Sequence, residues 1–455
     1  MAGGGNQDQI NREMDRHVIG VPSKWSYSME MRFKQWPTLL KPPASKRSCC
    51  IFRAPQSLLQ INEKAYEPQI VSIGPYHHGQ QRLNMVEQHK PRFFSTLLER
   101  TKNSGVGLDN YFKAIASREN DIRDCYSELL HCESSALVEM MVLDACFIVE
   151  MFHICAGVFE PDPDDPFFAT PWMYIILIRD LLRIENQIPF FVLQEVFNLL
   201  NGDTENEANQ RSLSELALLF FNIAAQRPEG QLEKFYKVSK AKHLLDLFRL
   251  SLVGHWDVEK GVHVNDDCLE LIPSARQLLR SGIKCKLRKG DNLNLLDINF
   301  NRGELQIPRL TLDDFMSFFL PNCIAFEQCY CYSSRHMTSY IIFMKCLVGT
   351  EADAELLSEN QLLVNYLGSN AEVATFFNDL GKDIAFSIKI SYLAELFRQV
   401  NRYHRSQCRM TWTGFKNKYF GSPWSFMSAI AAILLLGLTV LQAFYAVYGY
   451  YRPRK

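Results

Sequence analysis

The sequence contains no Asn-x-Ser/Thr acceptor, no Gly-rich phosphate loop and no nucleophile elbow. The first absence disfavours a secreted, glycosylated life. The other two remove common signatures of nucleotide binding and of serine hydrolysis. Nor is there an excess of one charge: 49 Lys and Arg stand against 50 Asp and Glu, a formal net charge of −1. A nucleic-acid binder would show a basic excess or stripe, so no nucleic-acid partner is expected. The opening residues, "MAGGGNQDQINREMDRHVIG", lack the apolar run of a signal peptide. Cysteine is sparse and odd in number, 13 in 455 residues, and Cys146, Cys155 and Cys346 lie in apolar helical patterns. Buried, reduced thiols are the reading.

What is present is an ordinary folded composition, 47% hydrophobic and 22% charged. One segment stands apart. Residues 421–451, "GSPWSFMSAIAAILLLGLTVLQAFYAVYGYY", carry no charge and exceed the roughly 20 apolar residues that span a bilayer. Trp424 sits at one end and Tyr445, Tyr448, Tyr450 and Tyr451 at the other, where an aromatic belt would lie. The pattern predicts one C-terminal transmembrane helix at 421–448 and a short basic tail at 449–455, with the lipid bilayer as partner. The competing reading is a buried core helix. Arg405, Arg409, Lys416 and Lys418 precede the segment and Arg452, Arg454 and Lys455 follow it, a balance that sets no orientation. A single-pass anchor in the plasma membrane or an endomembrane, with the main domain cytosolic, is the simplest expectation.

Residues 1–48 are low in periodicity and end in "KPPASKRS", which predicts a mobile leader. From residue 49 to 420 the pattern is mainly helical, in one multi-helix globular domain. "SSALVEMMVLDACFIVEMFHICAGVF" is apolar nearly all round and predicts a central, buried helix. "WMYIILIRDLLRIENQ" and "IPFFVLQEVFNLLNG" predict two helices broken at Pro189. Near 283–309 the period changes to alternation around Asn301-Arg302-Gly303, which predicts a small antiparallel β meander.

Several phrases in fixed order, "PQIVSIGPYHHG", "MMVLDACFIVEMF", "RDLLRIENQIPFFVL", "LLDINFNRGELQIPRL" and "YFGSPWSFMSAIAAILLLGLTVLQAFYAVY" among them, resemble the plant family called "domain of unknown function 247". The resemblance covers roughly 49–448. It implies a plant protein with a C-terminal transmembrane helix and no established enzymatic activity. Some grass members are implicated as pollen-side determinants of self-incompatibility, so the implied theme is recognition. The pattern departs at Arg183-Ile184, where the family usually has two leucines, and a charge there would alter the surface beside the helix break.

His77 and His78, in "VSIGPYHHG", would point to opposite faces of an extended chain and cannot readily share a metal. A turn with one ring buried and donating to backbone carbonyls is the expected role. Glu128/His131 and Glu150/His153 have the i, i+3 spacing of di-iron carboxylate bundles on consecutive predicted helices, with Glu185 and Glu327 as further ligands. Chance alone supplies roughly one such match in a chain of this composition, and no metal is expected. Cys323, Cys329, Cys331 and His336 fit no zinc module, and Asp162, Asp164 and Asp165 lack EF-hand spacing. No cofactor is expected.

The carboxylates stranded in apolar runs, Asp144, Glu150, Asp180, Glu185 and Glu327, must have partners. Arg53, Arg179 and Lys90 are candidate counter-ions. Glu185, Asn186 and Gln187 stand where a helix must stop before Pro189 and could satisfy backbone groups freed there. The favoured function is a non-catalytic, membrane-anchored recognition or signalling module that binds an unidentified protein, with no small-molecule ligand expected. Its exposed loops would be 160–166 and "NGDTENEANQR". The alternative is a membrane-tethered enzyme, a hydrolase or a carboxylate-bridged metal enzyme, which requires an open pocket where several of these groups converge unpaired.

Overall fold

The computed structural model describes residues 23–34, 39–41, 45–160, 165, 167–201, 211–237, 240–254, 269–290, 293–406 and 423–451. Its centre is the longest internal apolar run. Ser134–Cys155 forms a 22-residue helix buried on nearly every face between Leu137 and His153. A helix apolar all round must be covered on all sides, and four others cover it: Lys90–Thr101, Leu108–Ala116, Phe190–Asn201 and Leu213–Ala225. A second group comprises Asp314–Cys329, His336–Leu347, Glu351–Glu359 and Asn370–Leu380. Leu244–Val253 touches both Leu213–Ala225 and Asp314–Cys329 and so joins the groups. One hydrophobic core runs through both, from Cys49 to Val400. The fold is mainly α, as the periodicity predicts.

The helix break lies earlier than Pro189. The preceding helix is Pro171–Asp180, and residues 181–189 run as turns before Phe190–Asn201 begins. Proline is not what stops it: the side chains of Asn186 and Gln187 take the carbonyls of Asp180, Leu181 and Arg183 that a longer helix would have bonded.

The β region also departs from a meander. β1 (Lys284–Leu287), β2 (Asn299–Asn301) and β3 (Glu304–Ile307) order as β1-β3-β2, with β1 parallel to β3 and only β2 antiparallel to it. The hairpin joins β2 to β3 through Arg302 (φ 49°) and Gly303 (φ 86°), the left-handed pair of a tight two-residue turn. A Cβ on Gly303 would lie 2.5 Å from the Tyr403 hydroxyl, so glycine is required there. A second, parallel pair forms between β4 (Leu310–Leu312) and β5 (Leu363–Asn365). Alternation in a short window reveals strands but not partners that lie far along the chain.

Pro423–Tyr451 is a 29-residue helix, about 43 Å long at 1.5 Å per residue. Its segment Ile430–Val447 has a mean hydropathy of 2.2 and none of it is buried against the protein. Among the described residues it is the one helix long and apolar enough to cross a membrane. Leu436 and Val440 are exposed along it, unlike the side chains of a core helix, and so is Tyr445. The side chains of Trp424 and Tyr448 lie outside the described residues. Of the leader, Ser23–Lys34 is helical, while Lys41 N–H donates to the Ser127 carbonyl and the Tyr332 and Tyr330 hydroxyls donate to the carbonyls of Ser45 and Arg47.

Candidate functional site

Residues 70–74 are buried and irregular, with bends at Ile70 and Gly74 and no strand pairing. Backbone away from water needs a partner for each N–H and C=O, and here side chains supply many of them. The Asp180 carboxylate accepts from the N–H groups of Gln69 (2.8 Å), Ile70 (2.7 Å) and Val71 (3.2 Å). Asn186 donates from Nδ2 to the Val71 carbonyl (3.1 Å) and accepts the Ile73 N–H on Oδ1 (2.7 Å). Lys90 Nζ donates to the Ser72 carbonyl (2.6 Å), and Asp144 Oδ2 accepts the Gly74 N–H (2.7 Å). The segment is an irregular stretch whose backbone bonds are made to side chains.

The same residues close the end of helix Pro171–Asp180. Asn186 Nδ2 reaches the Asp180 carbonyl at 2.9 Å. Gln187 Nε2 donates to the carbonyls of Leu181 (2.7 Å) and Arg183 (2.8 Å), and its Oε1 accepts the Leu245 N–H (3.2 Å). Gly74, at φ 74°, lies against this turn. A Cβ there would sit 2.6 Å from the Gln187 carbonyl oxygen and 2.9 Å from the Tyr126 hydroxyl. Glycine in "IGPYHHG" is therefore imposed by close approach as well as by backbone angle.

Glu185 faces the other way. Its carboxylate accepts the Ala54 N–H (2.8 Å) and the Arg53 guanidinium (3.1 Å), with His77 Nε2 at 3.3 Å. Arg53 also holds Glu128 at 3.1 Å and lies over the Tyr76 ring. Burial works against charge on Glu185, but the His77 ring, the Ala54 N–H and Arg53 outweigh it and hold the carboxyl below its ordinary range. His77 is buried, with Nδ1 bonded to Gln80 and Nε2 facing Glu185, rather than donating to backbone carbonyls. His78 is half-exposed, with Nδ1 3.9 Å from Glu87.

The remaining carboxylates are paired one by one. Asp144 binds Lys90, and Glu150 takes a two-pronged contact from Arg100. His153, on the same helix, donates from Nδ1 to the Val149 carbonyl (2.9 Å) and stacks on Phe197. Arg183 is not a surface charge: it is buried, bonded to Asp180 at 3.0 Å and donating to the carbonyls of Lys64 and Ala65. Arg179 pairs with Asp314 instead of Asp180. Glu327 belongs to a separate network. It accepts the N–H groups of Met337 and Thr338 at the start of helix His336–Leu347 and meets Arg249 at 3.3 Å. Arg249 in turn binds Asp246 at 2.8 Å. Burial raises the Glu327 carboxyl, against the pull of Arg249 and Thr338.

His243 begins helix Leu244–Val253. Its Nδ1 accepts the Asp246 N–H (3.2 Å) and its Nε2 donates to the Cys50 carbonyl (3.1 Å), which fixes a neutral tautomer. Full burial pushes its pKa down to about 4.

Glu128 and His131 lie in the connector before helix Ser134–Cys155, not on a helix, and His131 is exposed. Glu128 and Glu185 share Arg53, while Glu150 goes to Arg100 and Glu327 to Arg249. Among the described residues no three His, Cys, Asp or Glu groups cluster at metal-binding range. Cys323 is buried, whereas Cys331 is exposed beyond the helix end at Cys329. Asp165 pairs with Arg92. Asp162, Asp164 and nearly all of the two loops 160–166 and 201–211 lie outside the described residues.

Sequence reasoning missed Arg100, Arg249, Asp246, His243 and Asn322, and expected Arg183 to act at the surface. Asn322, buried beside Pro321, accepts the Ile184 N–H (3.0 Å) and donates to the Ala65 carbonyl (2.9 Å). A signal existed for two of them: Asp246 and Arg249 sit at i, i+3 in the apolar phrase "HLLDLFR".

None of the five principal cavities among the described residues is lined by Asp144, Glu150, Asp180, Glu185, Asn186 or Gln187. The largest, 1240 Å³, opens between Arg118, Phe190, Phe191, Lys242, Tyr330 and Tyr332. Arg118 lies over the Phe191 ring at 4.0 Å.

Residues 51–438 match a family described as plant protein of unknown function, DUF247. The UPF0481 protein At3g47200 of Arabidopsis thaliana is 38% identical over 438 residues, covering 92% of this chain and 90% of that one. The putative UPF0481 protein At3g02645 of the same plant is 23% identical over 488 residues, covering 88% and 90%. No solved structure matches. With the side-chain-bonded segment at 70–74, the ENQ turn and the apolar C-terminal helix all inside or overlapping the matched span, the chain belongs to the plant DUF247 family.

Proposed function

We propose that this chain is a non-catalytic recognition module, held on a membrane by its C-terminal helix, whose helical domain binds another protein. The observation that carries the reading is the spending of the buried carboxylates and amides on backbone groups and on one cation each. A catalytic acid or base must face a space where substrate fits, and Asp144, Asp180, Glu185 and Glu327 face their own scaffold. The 1240 Å³ cleft is the face assigned to the partner. Within a mixed lining that also holds Asp, Lys and Ser, it presents Arg118, Phe190, Phe191, Tyr330 and Tyr332, residue types enriched at interface hot spots. The implied theme of the family, recognition, agrees with it.

The domains follow from this reading: a leader at 1–48, a helical body at 49–420, a bilayer span at 421–448 and a basic tail at 449–455, with the body on the cytosolic side. The test is photo-crosslinking of the full chain in native plant membranes, from a probe placed at Tyr332 and, separately, at Glu99 on an exposed helix face. A discrete adduct from Tyr332 alone that disappears with Arg118→Glu supports the reading. Equal labelling from both positions contradicts it, as does turnover of a substrate that depends on Glu185 or Glu327. Protease protection of sealed vesicles tests the topology: a body digested from the cytosolic face agrees, and a protected one does not.

A further inference from the structure

We infer that the cleft between helices Leu213–Ala225 and Asp314–Cys329 and the small β region binds a small molecule carrying one anionic group on an apolar body. The cleft has a volume of 770 Å³ and is lined by Arg227, Arg288 and Arg309, a size within the ordinary range of small-molecule sites. Phe248, Leu252 and Phe315 supply apolar wall.

Arg227 and Arg288 are partly buried and Arg309 is exposed, and all three differ from the arginines that hold the core carboxylates. Arg100, Arg183 and Arg249 each meet a carboxylate. Arg227 instead donates to Ser251 Oγ and to the Ser251 carbonyl, both at 2.8 Å. Arg288 donates to the Asp297 carbonyl at 2.6 Å, and Arg309 to the Gln361 carbonyl and amide oxygen at 3.2 and 3.3 Å. Every one of these acceptors is neutral. Asp313 also lines the cleft, but its Oδ1 accepts the Met316 N–H at the start of its helix. Three guanidiniums against one carboxylate leave a lining charge of +2.

Among the described residues neither Arg227 nor Arg288 meets a carboxylate, and a half-buried guanidinium without an anion is an unfinished pair. Burial pushes Arg227 down to about 10, with no acid to offset it. Each guanidinium has five N–H donors, of which these contacts use one or two, so donors remain for a forked contact to a carboxylate or phosphate. The apolar wall then selects against a bare inorganic ion. This site is separate from the partner cleft and stands without it.

The experiment is calorimetric titration of the full chain, reconstituted in phosphatidylcholine nanodiscs, with octanoate, octyl phosphate and octan-1-ol, the heat of empty nanodiscs being subtracted. Saturable binding of one or both acids at one per chain is expected, with octan-1-ol about tenfold weaker or more, the worth of a charge-assisted hydrogen bond. Octanoate alone identifies a carboxylate site, octyl phosphate alone a phosphate site, and both together a site that reads charge only. Arg227→Gln and Arg309→Gln should each weaken the acid about tenfold. Arg309 is exposed and held only by Gln361, so its substitution leaves the fold intact even where Arg227→Gln disturbs Ser251. No saturable binding of either acid, equal binding of octan-1-ol, or unchanged affinity in Arg309→Gln would overturn the assignment.

Discussion

Two helices of this protein are long and strongly apolar, and they have opposite fates. Ser134–Cys155 is buried on nearly all sides, while Ile430–Val447 has none of its surface covered. Both could be read from sequence as either a core helix or a membrane span. The difference lies in the few polar residues. Asp144 and Glu150 in the central helix have cations waiting on helix Lys90–Thr101, namely Lys90 and Arg100. The C-terminal helix carries no charge over its whole length and meets nothing. An apolar helix is marked as core by the polar groups that its neighbours answer, more than by its hydropathy.

A new charge separates the two helices most sharply. Cys146→Arg would place an unpaired cation at a position with no solvent exposure, at a cost on the order of the several kcal/mol of a buried lone charge. Little folded protein should be recovered, as judged by gel filtration in detergent. Leu436→Arg should cost about 2.5–3.5 kcal/mol of insertion. It should shift the chain out of the membrane fraction while leaving the unfolding midpoint of the domain unchanged.

Acid is the next lever, because the C-terminal helix has no titrating group below neutrality and the core has His243. The folded state keeps His243 neutral down to about 4 against an ordinary 6.5. Between these values the unfolded chain binds the proton and the folded chain does not. Stability therefore falls as pH drops through that window, by about 3 kcal/mol. His243→Asn leaves an acceptor at the helix start and removes the titration, so urea midpoints measured from pH 7 to 4 should decline less steeply than in the parent chain. Gly74→Ala is expected to have a smaller effect, about 1–3 kcal/mol from backbone strain together with the approach of the Gln187 carbonyl. Gly437, with open space around its Cβ position, should accept alanine without change in membrane fractionation or melting.

The sequence makes the helical body, the apolar C-terminal helix and the central helix legible through period and length alone. It also makes legible that Asp144, Glu150, Asp180, Glu185 and Glu327 need partners. It does not make legible which partners, because the pairings join residues far apart in the chain, such as Arg53 with Glu185 and Arg249 with Glu327. Local signals fail for the same reason in the β region, where β1 bypasses β2 to pair with β3, and β5 joins β4 across a helical excursion. Pro189 drew attention as the stop of a helix that in fact ends at Asp180, since a side chain that outcompetes the helix leaves no mark as plain as proline.

The account's central claim is that the polar residues of the apolar runs are structural pairs. A double-mutant cycle on Lys90 and Asp144 in the full chain, followed by urea unfolding in nanodiscs, tests it most directly. Lys90→Met should destabilise by about 3–5 kcal/mol, because it leaves Asp144 buried without its cation, and Asp144→Leu by less, because Lys90 keeps Glu87 as a partner. The double variant should recover a large part of the summed loss. Purely additive losses, with no coupling between the two positions, would contradict the account.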